Sequence, residues 1–236
     1  MRLGLGLALL AAFTAGSGEL MRIVREPTAG VVAPRTYYVF MSTFPHDGLR
    51  FALTAGLVSD LMVGVGYGGW DVTGTDDAEW FDHAFFKARF RFLDESLNFP
   101  ALALGYDAEE EQYRAGGIYD RHQRGFYMVG SKNFRTTVGD LAFHAGASLS
   151  PEHPDHAGCW VGADASLPAG FGLAVDYDAA TSESRRVRFD KSGGFLQAEV
   201  FWESYGQVRI SIQFLDLLES GGSTYRSLSV DFLGVF

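Results

Sequence analysis

Basic side chains at alternate positions are the most distinctive charged feature of the sequence. In the segment FDHAFFKARFRFL, one face of an extended strand would carry His83, Phe85, Lys87, Arg89 and Arg91. Cations in such a row can pair with buried acids in a closed polar network, or they can attract and guide anionic solutes such as acidic sugars. The sequence alone leaves both uses open.

Further charged residues occur in later segments, on the face that carries small and polar residues. They are Asp164, Asp176, Glu199, Arg209 and Asp231. In FGLAVDYDA, for example, Leu173 and Val175 share one face while Ala174 and Asp176 share the other. The charged residues are therefore expected on one common side of the strands.

A Ser/His/Asp arrangement is the one catalytic pattern that needs a test. His144 and Ser148 share a face of LAFHAGASL, and Asp164 follows on the next segment. Four residues along a strand span roughly 13 Å, which is too far for a hydrogen bond between His144 and Ser148. No GxSxG turn is present. We therefore predict no catalytic residues, no enzymatic activity, no metal site and no other cofactor.

The composition favours strands over helices and argues against a nucleic-acid partner. The chain has 236 residues, 47% of them hydrophobic, with 29 glycines and 20 phenylalanines. Glycine and aromatic residues favour strands joined by tight turns. A formal net charge of -10 provides no concentrated basic face for phosphate groups. The lone cysteine, Cys159, cannot form an internal disulfide and is predicted to be a small apolar filler.

From residue 36 to residue 236 the chain divides into about twelve alternating segments, with 10 to 14 possible. We place them at 36–43, 49–57, 60–69, 81–92, 98–107, 124–134, 141–149, 158–166, 171–179, 194–202, 206–215 and 225–236. Each is long enough for a tilted strand to cross a bilayer. The segment GFYMVGSKNF has apolar residues on both faces, so its outward face stays undecided.

The connections between these segments alternate in length. LVSD, LDESLN, RTTVGD, LPAG and ESYG are short, and most intervening connections are longer and more polar. A soluble antiparallel sandwich shows the same alternation of faces but has no reason to sort its connections by length. The pattern predicts an all-β fold, a single closed antiparallel transmembrane β-barrel with short periplasmic turns and longer outer loops.

A barrel assigns the charged face to its lumen, because cations on the lipid side are costly. The predicted lumen-lining residues are His83, Lys87, Arg89, Arg91, Asp164, Asp176, Glu199, Arg209 and Asp231. The outer loops are acidic, as at Asp107 and Glu109, and are expected to form a solvated rim.

Two segments precede the barrel. Residues 1–18 combine an early basic residue, an apolar run and a small-residue stretch, which is the layout of a secretory signal peptide. Residues 19–35 contain two prolines and are predicted to form an irregular arm. The arm could lie in the periplasm or tuck into the barrel.

The chain resembles bacterial outer-membrane β-barrel proteins over essentially all of residues 36–236. Its ending SVDFLGVF looks like their C-terminal assembly signal, with Val230, Phe232 and Phe236 at the matching positions. The segments EPTAGVVAPRTYYV, GLVSDLMVGVGYGG, NFPALALGYD and GFYMVGSKNF are similar to segments of YjbH-like barrels, which are associated with exopolysaccharide production or export. The resemblance implies an outer-membrane location, with outer-membrane lipids and the barrel-assembly machinery as partners.

These observations predict a narrow, porin-like pore or an accessory barrel in envelope transport, with an anionic solute or a polysaccharide as candidate cargo. A non-conducting structural or adhesive barrel that displays its loops is the alternative. A lipid-modifying outer-membrane enzyme is disfavoured, because no nucleophile lies within reach of a base.

Overall fold

Antiparallel strands form one continuous sheet in the computed structural model, which describes residues 20–45, 47–109, 124–137, 139–151, 154–155, 157–179, 181, 194–220 and 223–236. The strands are β1 (Thr36–Phe44), β2 (Gly48–Val58), β3 (Leu61–Trp70), β4 (Glu79–Trp80), β5 (Phe85–Leu93), β6 (Ala101–Asp107), β7 (Gly125–Arg135), β8 (Asp140–Leu149), β9 (Ala157–Ser166), β10 (Phe171–Asp178), β11 (Phe195–Ser204), β12 (Val208–Leu215) and β13 (Tyr225–Val235). A single turn of 3-10 helix, Pro168–Gly170, separates β9 from β10. In the described ranges, no helix is long and apolar enough to cross a membrane.

Twelve of these strands close into a barrel. Each of the twelve pairs with the next one along the chain, with β3 pairing directly with β5. The ring closes where β1 pairs with β13, and Tyr38 faces Leu233 at this seam. The two-residue β4 pairs only with the end of β3 and lies outside the ring. The predicted all-β class and the closed antiparallel barrel of about twelve strands are confirmed. The predicted signal peptide, residues 1–18, lies outside the described residues.

The fourth predicted segment begins too early. Phe81 packs against Trp70, with ring centroids 4.8 Å apart, and its backbone N–H donates to the carbonyl of Gly68 at 2.9 Å. Residues 81–84 therefore fold over the end of β3, and β5 begins at Phe85. His83 consequently lies in an exposed connection and not on the inner face, which corrects its predicted lumen-lining position.

Inner and outer faces of the barrel differ sharply in chemistry. On β12, Arg209, Ser211 and Gln213 point inward and are buried, whereas Ile210 and Ile212 point outward and are 42% and 52% exposed. The outer face carries an apolar band on nearly every strand, which includes Phe51, Leu53, Val65, Phe86, Phe90, Leu104, Met128, Phe143, Val161, Leu173, Val200, Ile212 and Leu228.

The strand that sequence analysis left undecided, β7, follows the same rule. Tyr127, Val129 and Ser131 are buried inside, while Phe126 and Met128 are 63% and 52% exposed outside. Bulky apolar residues on both faces of β7 are therefore explained by an inner apolar cluster, which Tyr127 and Val129 form with neighbouring strands.

The two ends of the barrel are distinguished by their connections. The short connections 59–60 and 205–207 lie at the same end as the start of β1 and the end of β13. The backbone N–H of Phe236 donates to the carbonyl of Arg35 at 3.0 Å, so both ends of the barrel sequence meet there. We call this the short-connection end, and the opposite end, which includes connection 71–84, the long-connection end.

Candidate functional site

The segment before β1 fills the interior of the barrel. Residues 20–35, called the arm below, form a hairpin in which the N–H of Ile23 donates to the carbonyl of Glu26 at 2.8 Å. Val24, Glu26 and Ala29 are 0% exposed, and all residues from 26 to 32 are buried. Of the two positions open from sequence, the arm therefore takes the one inside the barrel.

Glycines in the barrel wall make room for the arm. A Cβ at Gly56 would lie 2.1 Å from the carbonyl oxygen of Ala33, and one at Gly162 would lie 2.4 Å from Cδ1 of Ile23. A side chain at Gly56 would thus displace the backbone of the arm, and one at Gly162 would displace the end of the Ile23 side chain. The wall is thus shaped to hold the arm at both its base and its tip.

Asp176 on β10 holds the tip of the arm. Its Oδ2 accepts hydrogen bonds from the backbone N–H groups of Val24, Arg25 and Glu26 at 3.0, 2.8 and 3.3 Å. The side chain of Asp176 is 1% exposed. Because hydrogen bonds to a charged acceptor are stronger than neutral ones, these three bonds form a firm attachment.

A second attachment runs through three wall strands. The N–H of Ala29 donates to Oγ of Ser131 at 2.8 Å, Ser131 Oγ lies 2.8 Å from Nδ1 of His144, and His144 Nε2 lies 2.8 Å from Oδ1 of Asp164. The Oγ atom of Ser131 thus accepts from the arm and is linked through the His144 ring to the carboxylate of Asp164.

This chain of contacts has the order of a Ser/His/Asp relay, with Ser131 in the place where sequence reasoning examined Ser148. The residues are direct neighbours because Ser131 pairs with His144 across β7 and β8. Ser131 and His144 are buried, and Ala29 covers the hydroxyl. A substrate carbonyl has no approach to Ser131 while the arm is in place.

Arg89 supplies the third attachment, again to backbone groups of the arm. Its Nη1 donates to the carbonyl of Met21 at 3.0 Å and to that of Gly30, and its Nε donates to the Tyr127 hydroxyl at 2.8 Å. The middle residue of the basic row is therefore satisfied by the two limbs of the hairpin. In this arrangement its Nε and Nη1 donors are therefore already engaged within the protein.

The other two cations of the row are also paired. Lys87 contacts Asp107 at 3.2 Å and also contacts Glu109, whereas Arg91 contacts Asp94 at 2.9 Å and Asp60 at 3.8 Å. Of the two uses that the sequence left open, the closed structure shows the paired polar network.

Glu109 was expected in the solvated rim, but it turns into the long-connection end of the barrel. It contacts Arg50 as well as Lys87. Burial opposes its ionisation, yet the two cations outweigh burial and hold the pKa of its carboxyl well below the usual range. Glu109 is therefore a charged partner that locks β2 and β5 to the connection after β6.

At the short-connection end, the arm borders a cavity of about 540 Å³. Its wall contains the buried ion pair of Glu199 with Arg209, whose guanidinium carbon lies 3.6 Å from the centroid of the Phe201 ring. Asp231 accepts a hydrogen bond from the Tyr38 hydroxyl and lies 4.0 Å from Arg22 of the arm. The arm therefore joins a second charged cluster in the lumen.

Eight of the nine side chains predicted to line the lumen lie on the inner face, and His83 does not. The ones inside are Lys87, Arg89, Arg91, Asp164, Asp176, Glu199, Arg209 and Asp231. Sequence reasoning missed Ser131, Glu109 and the backbone groups of the arm. The alternation of GFYMVGSKNF indicates which face of the strand carries Ser131. The residue that Ser131 meets on the next strand depends on the register between the strands, which the alternation does not encode.

In the described ranges, no group of three or more His, Cys, Asp or Glu side chains is arranged to hold a metal ion. His153 and His156, in the loop SPEHPDHAG, lie outside the described residues. At the C-terminus, Phe232 and Phe236 are 39% and 73% exposed, and both rings lie near Tyr37, with centroids 6.0 and 5.1 Å away. Val230 points outward on β13 beside them.

No protein-family model matches the chain, and no curated protein matches it. It is similar to a solved structure of the KdgM porin, with 9% identity, a TM-score of 0.47, and coverage of 84% of this chain and 98% of that chain. It is also similar to a Salmonella typhi OmpF structure in complex with daunomycin, with 8% identity, a TM-score of 0.28, and coverage of 85% and 97%. A structure from work on in-meso crystallization of membrane proteins has 13% identity, a TM-score of 0.43, and coverage of 85% and 83%. None of these comparisons shows the narrower likeness to YjbH-like barrels.

Proposed function

We propose that the protein is an outer-membrane β-barrel that works as a gated narrow pore in envelope transport, with its own arm as the gate. The observation that carries this proposal is the way in which the arm is held. Asp176, Ser131 and Arg89 bind it through hydrogen bonds to its backbone. Water can replace such bonds when the arm leaves. Ile23 and Val24 of the arm also pack against Phe201 and Leu215 of the wall, so departure of the arm has to separate these apolar contacts as well.

The membrane location is supported by the outer face. Side chains such as Phe51, Val65 and Leu173 are 45%, 50% and 51% exposed, and they belong to a band that surrounds the barrel. A monomer in water rarely exposes apolar surface that continuous, whereas a transmembrane barrel requires it. Cell fractionation with a heat-modifiable gel mobility assay tests the location, and a soluble periplasmic protein without a mobility shift would overturn it.

The cargo belongs to this proposal as well. The interior wall is charged and polar, so a displaced arm opens a path for a hydrophilic solute. The resemblance to YjbH-like barrels favours an exopolysaccharide or another anionic solute. Lys87, Arg89 and Arg91 would then change partners, from wall acids and arm carbonyls to the anion.

A non-conducting barrel that displays its loops is the second candidate, and the filled lumen favours it. A disulfide lock separates the two candidates within one molecule. Ala29 N lies 2.8 Å from Ser131 Oγ, so cysteines at these two positions in a Cys159→Ala background bring a thiol of the arm close to a thiol of β7. Loss of free thiol on oxidation shows whether the two thiols have joined.

We expect discrete channel events in planar bilayers from the reduced double-cysteine protein, and their loss after oxidation. Each single-cysteine variant is the control and should not respond to reductant. If neither the wild type nor the reduced double variant conducts, the gated pore is wrong and the structural barrel is favoured.

A further inference from the structure

The tip of the arm has the form of an anion receptor. The N–H groups of Val24, Arg25 and Glu26 are consecutive in sequence, yet all three point to one oxygen, Oδ2 of Asp176, at 3.0, 2.8 and 3.3 Å. Successive backbone N–H groups that converge in this way form a concavity that binds carboxylates and phosphates. The site is thus seen with a carboxylate in it, supplied by the wall of the same molecule.

The tip lies toward the long-connection end of the lumen. Asp176 is close to the end of β10, after which the chain enters connection 179–194. Gln213, near the corresponding end of β12, donates from Nε2 to the carbonyl of Val24 at 3.4 Å. Glu26 pairs with Arg124, which directly precedes β7. A solute that enters from the long-connection end therefore reaches the tip before the rest of the arm.

We propose that the tip of the arm is a carboxylate-binding site, which Asp176 occupies in the closed state and a carboxylate-bearing solute takes over when it enters. This inference deepens the proposed gate and rests on it for its biological meaning. Exchange of one carboxylate for another keeps all three N–H groups satisfied. It removes the tether between the tip and Asp176, so the arm is then held by its remaining attachments, which include Ser131 and Arg89, and leaves the lumen more readily.

A thiol reporter on the arm tests the exchange. Thr28 is 1% exposed, and its hydroxyl donates to the carbonyl of Leu20 and accepts from the N–H of Gly30. Thr28→Cys keeps a small side chain that can donate and accept weakly at this position, and in a Cys159→Ala background a maleimide reaches this thiol only after the arm has moved. Labelling rates are measured on the full-length barrel in detergent, with sodium acetate as the probe and sodium chloride at equal ionic strength as the control.

Acetate should change the labelling rate in opposite directions in two proteins. In the reporter protein it competes with Asp176 and speeds labelling. In the reporter protein that also carries Asp176→Ala, labelling starts at least about tenfold faster, because charge-assisted bonds are lost. Acetate then fills the vacant site and slows labelling. Opposite signs cannot come from a general effect of acetate on the protein.

Asp164→Ala is the matched control, because Asp164 is an inner acid that contacts His144 and not the tip. Acetate should not slow labelling of that variant. Absence of rescue in Asp176→Ala, absence of acceleration in the reporter protein, or equal rescue of Asp164→Ala would each overturn the proposal. If Asp176→Ala does not assemble, Asp176→Asn replaces it; its amide oxygen keeps part of the attachment, so faster basal labelling that acetate slows is the supporting result and insensitivity the opposing one.

Labelling does not require a conducting pore. A barrel that shows both acetate effects but no channel events would disprove the gated pore and leave the carboxylate site intact. A barrel that conducts but shows neither acetate effect would disprove the carboxylate site and leave the gated pore intact.

Discussion

The hydroxyl oxygen of Ser131 lies 2.8 Å from Nδ1 of His144, its direct partner across β7 and β8. The same oxygen accepts the N–H of Ala29 at 2.8 Å. One small side chain therefore connects the arm to the wall and, through His144, to Asp164 on a third strand. Removal of this hydroxyl affects the arm without touching the backbone of the barrel.

Ser131→Ala should loosen the arm and leave the barrel folded. A buried N–H group that loses its acceptor costs roughly 1–3 kcal/mol, so the temperature of the gel mobility shift should fall. Ser148→Ala is the control, because Ser148 lies on the same inner face of β8 as His144 but four residues, roughly 13 Å, along the strand. An equal fall in both variants would contradict a specific role for Ser131.

The pair of Glu199 with Arg209 should show strong coupling in a double-mutant cycle. Glu199 also accepts a hydrogen bond from Gln213 at 2.7 Å, and its side chain is 2% exposed. Loss of one partner leaves a buried charge unpaired, which costs on the order of 3–5 kcal/mol, whereas replacement of both by apolar residues costs less.

We therefore expect Glu199→Leu to lower the free energy of unfolding more than the double variant with Arg209→Met. Urea unfolding in detergent measures the difference. Additive effects of the two single variants would mean that the two side chains are not coupled in solution.

Acid should weaken the long-connection end through Glu109. Its pKa in the folded chain lies below the value of about 4.3 for an unfolded glutamate. The ionised group therefore stabilises the fold above about pH 4, and this contribution is lost as the pH falls further toward the folded-state pKa.

Glu109→Gln should reduce the dependence of thermal stability on pH in the acidic range below about pH 4. It should also lower stability at neutral pH, since Arg50 and Lys87 lose a charged partner. Asp76→Asn, at an exposed acid of connection 71–84, should leave the profile unchanged. Identical profiles for wild type and Glu109→Gln would show that Glu109 is not paired in solution.

The architecture could be predicted from the sequence because strand alternation and connection length are local properties. Ile210 and Arg209, for example, take opposite faces in any strand. The barrel fold then determines which of these faces lines the lumen and which lies on the outside. The arm could not be placed in this way. Its attachments use backbone N–H and carbonyl groups, which every residue carries, so nothing in the sequence marks Val24 or Gly30 as partners of Asp176 or Arg89.

The predicted lumen-lining position of His83 is wrong for a related reason. The alternation of charged residues in FDHAFFKARFRFL extends through residues 83 and 85, and it contains no sign that the strand starts only at Phe85. That start depends on Phe81 packing against Trp70 of β3, which is a tertiary contact. Ser131 shows the same limit, because register decides that it and not Ser148 meets His144.

A charge on the outer band should distinguish a membrane barrel from a soluble one. Ile212 is 52% exposed near the middle of the outer face, so Ile212→Arg would be nearly neutral in water. In a bilayer the same change costs roughly 2–4 kcal/mol. Tyr205→Arg, at a 97% exposed position in a short connection, is the control and should be tolerated. Refolding yield into lipid vesicles compares them, and equal yields would argue against the proposed membrane location.

Phe236 should matter for assembly in the cell more than for the stability of the finished barrel. Its side chain is 73% exposed, and its contacts are a ring contact with Tyr37 at 5.1 Å and a backbone hydrogen bond to Arg35 at 3.0 Å. A largely exposed residue contributes little to folding. If Val230, Phe232 and Phe236 form an assembly signal, Phe236→Asp should reduce outer-membrane levels while secretion continues.

The same variant, refolded from urea into detergent, should reach a yield and a gel mobility close to those of the wild type. Phe236→Tyr keeps an aromatic end and should assemble normally in the cell. Unchanged outer-membrane levels of Phe236→Asp would disprove the signal. A defect that appears equally in cells and in refolding would instead assign Phe236 to barrel closure, because the carbonyl of Arg35 and the ring of Tyr37 hold it beside the seam between β1 and β13.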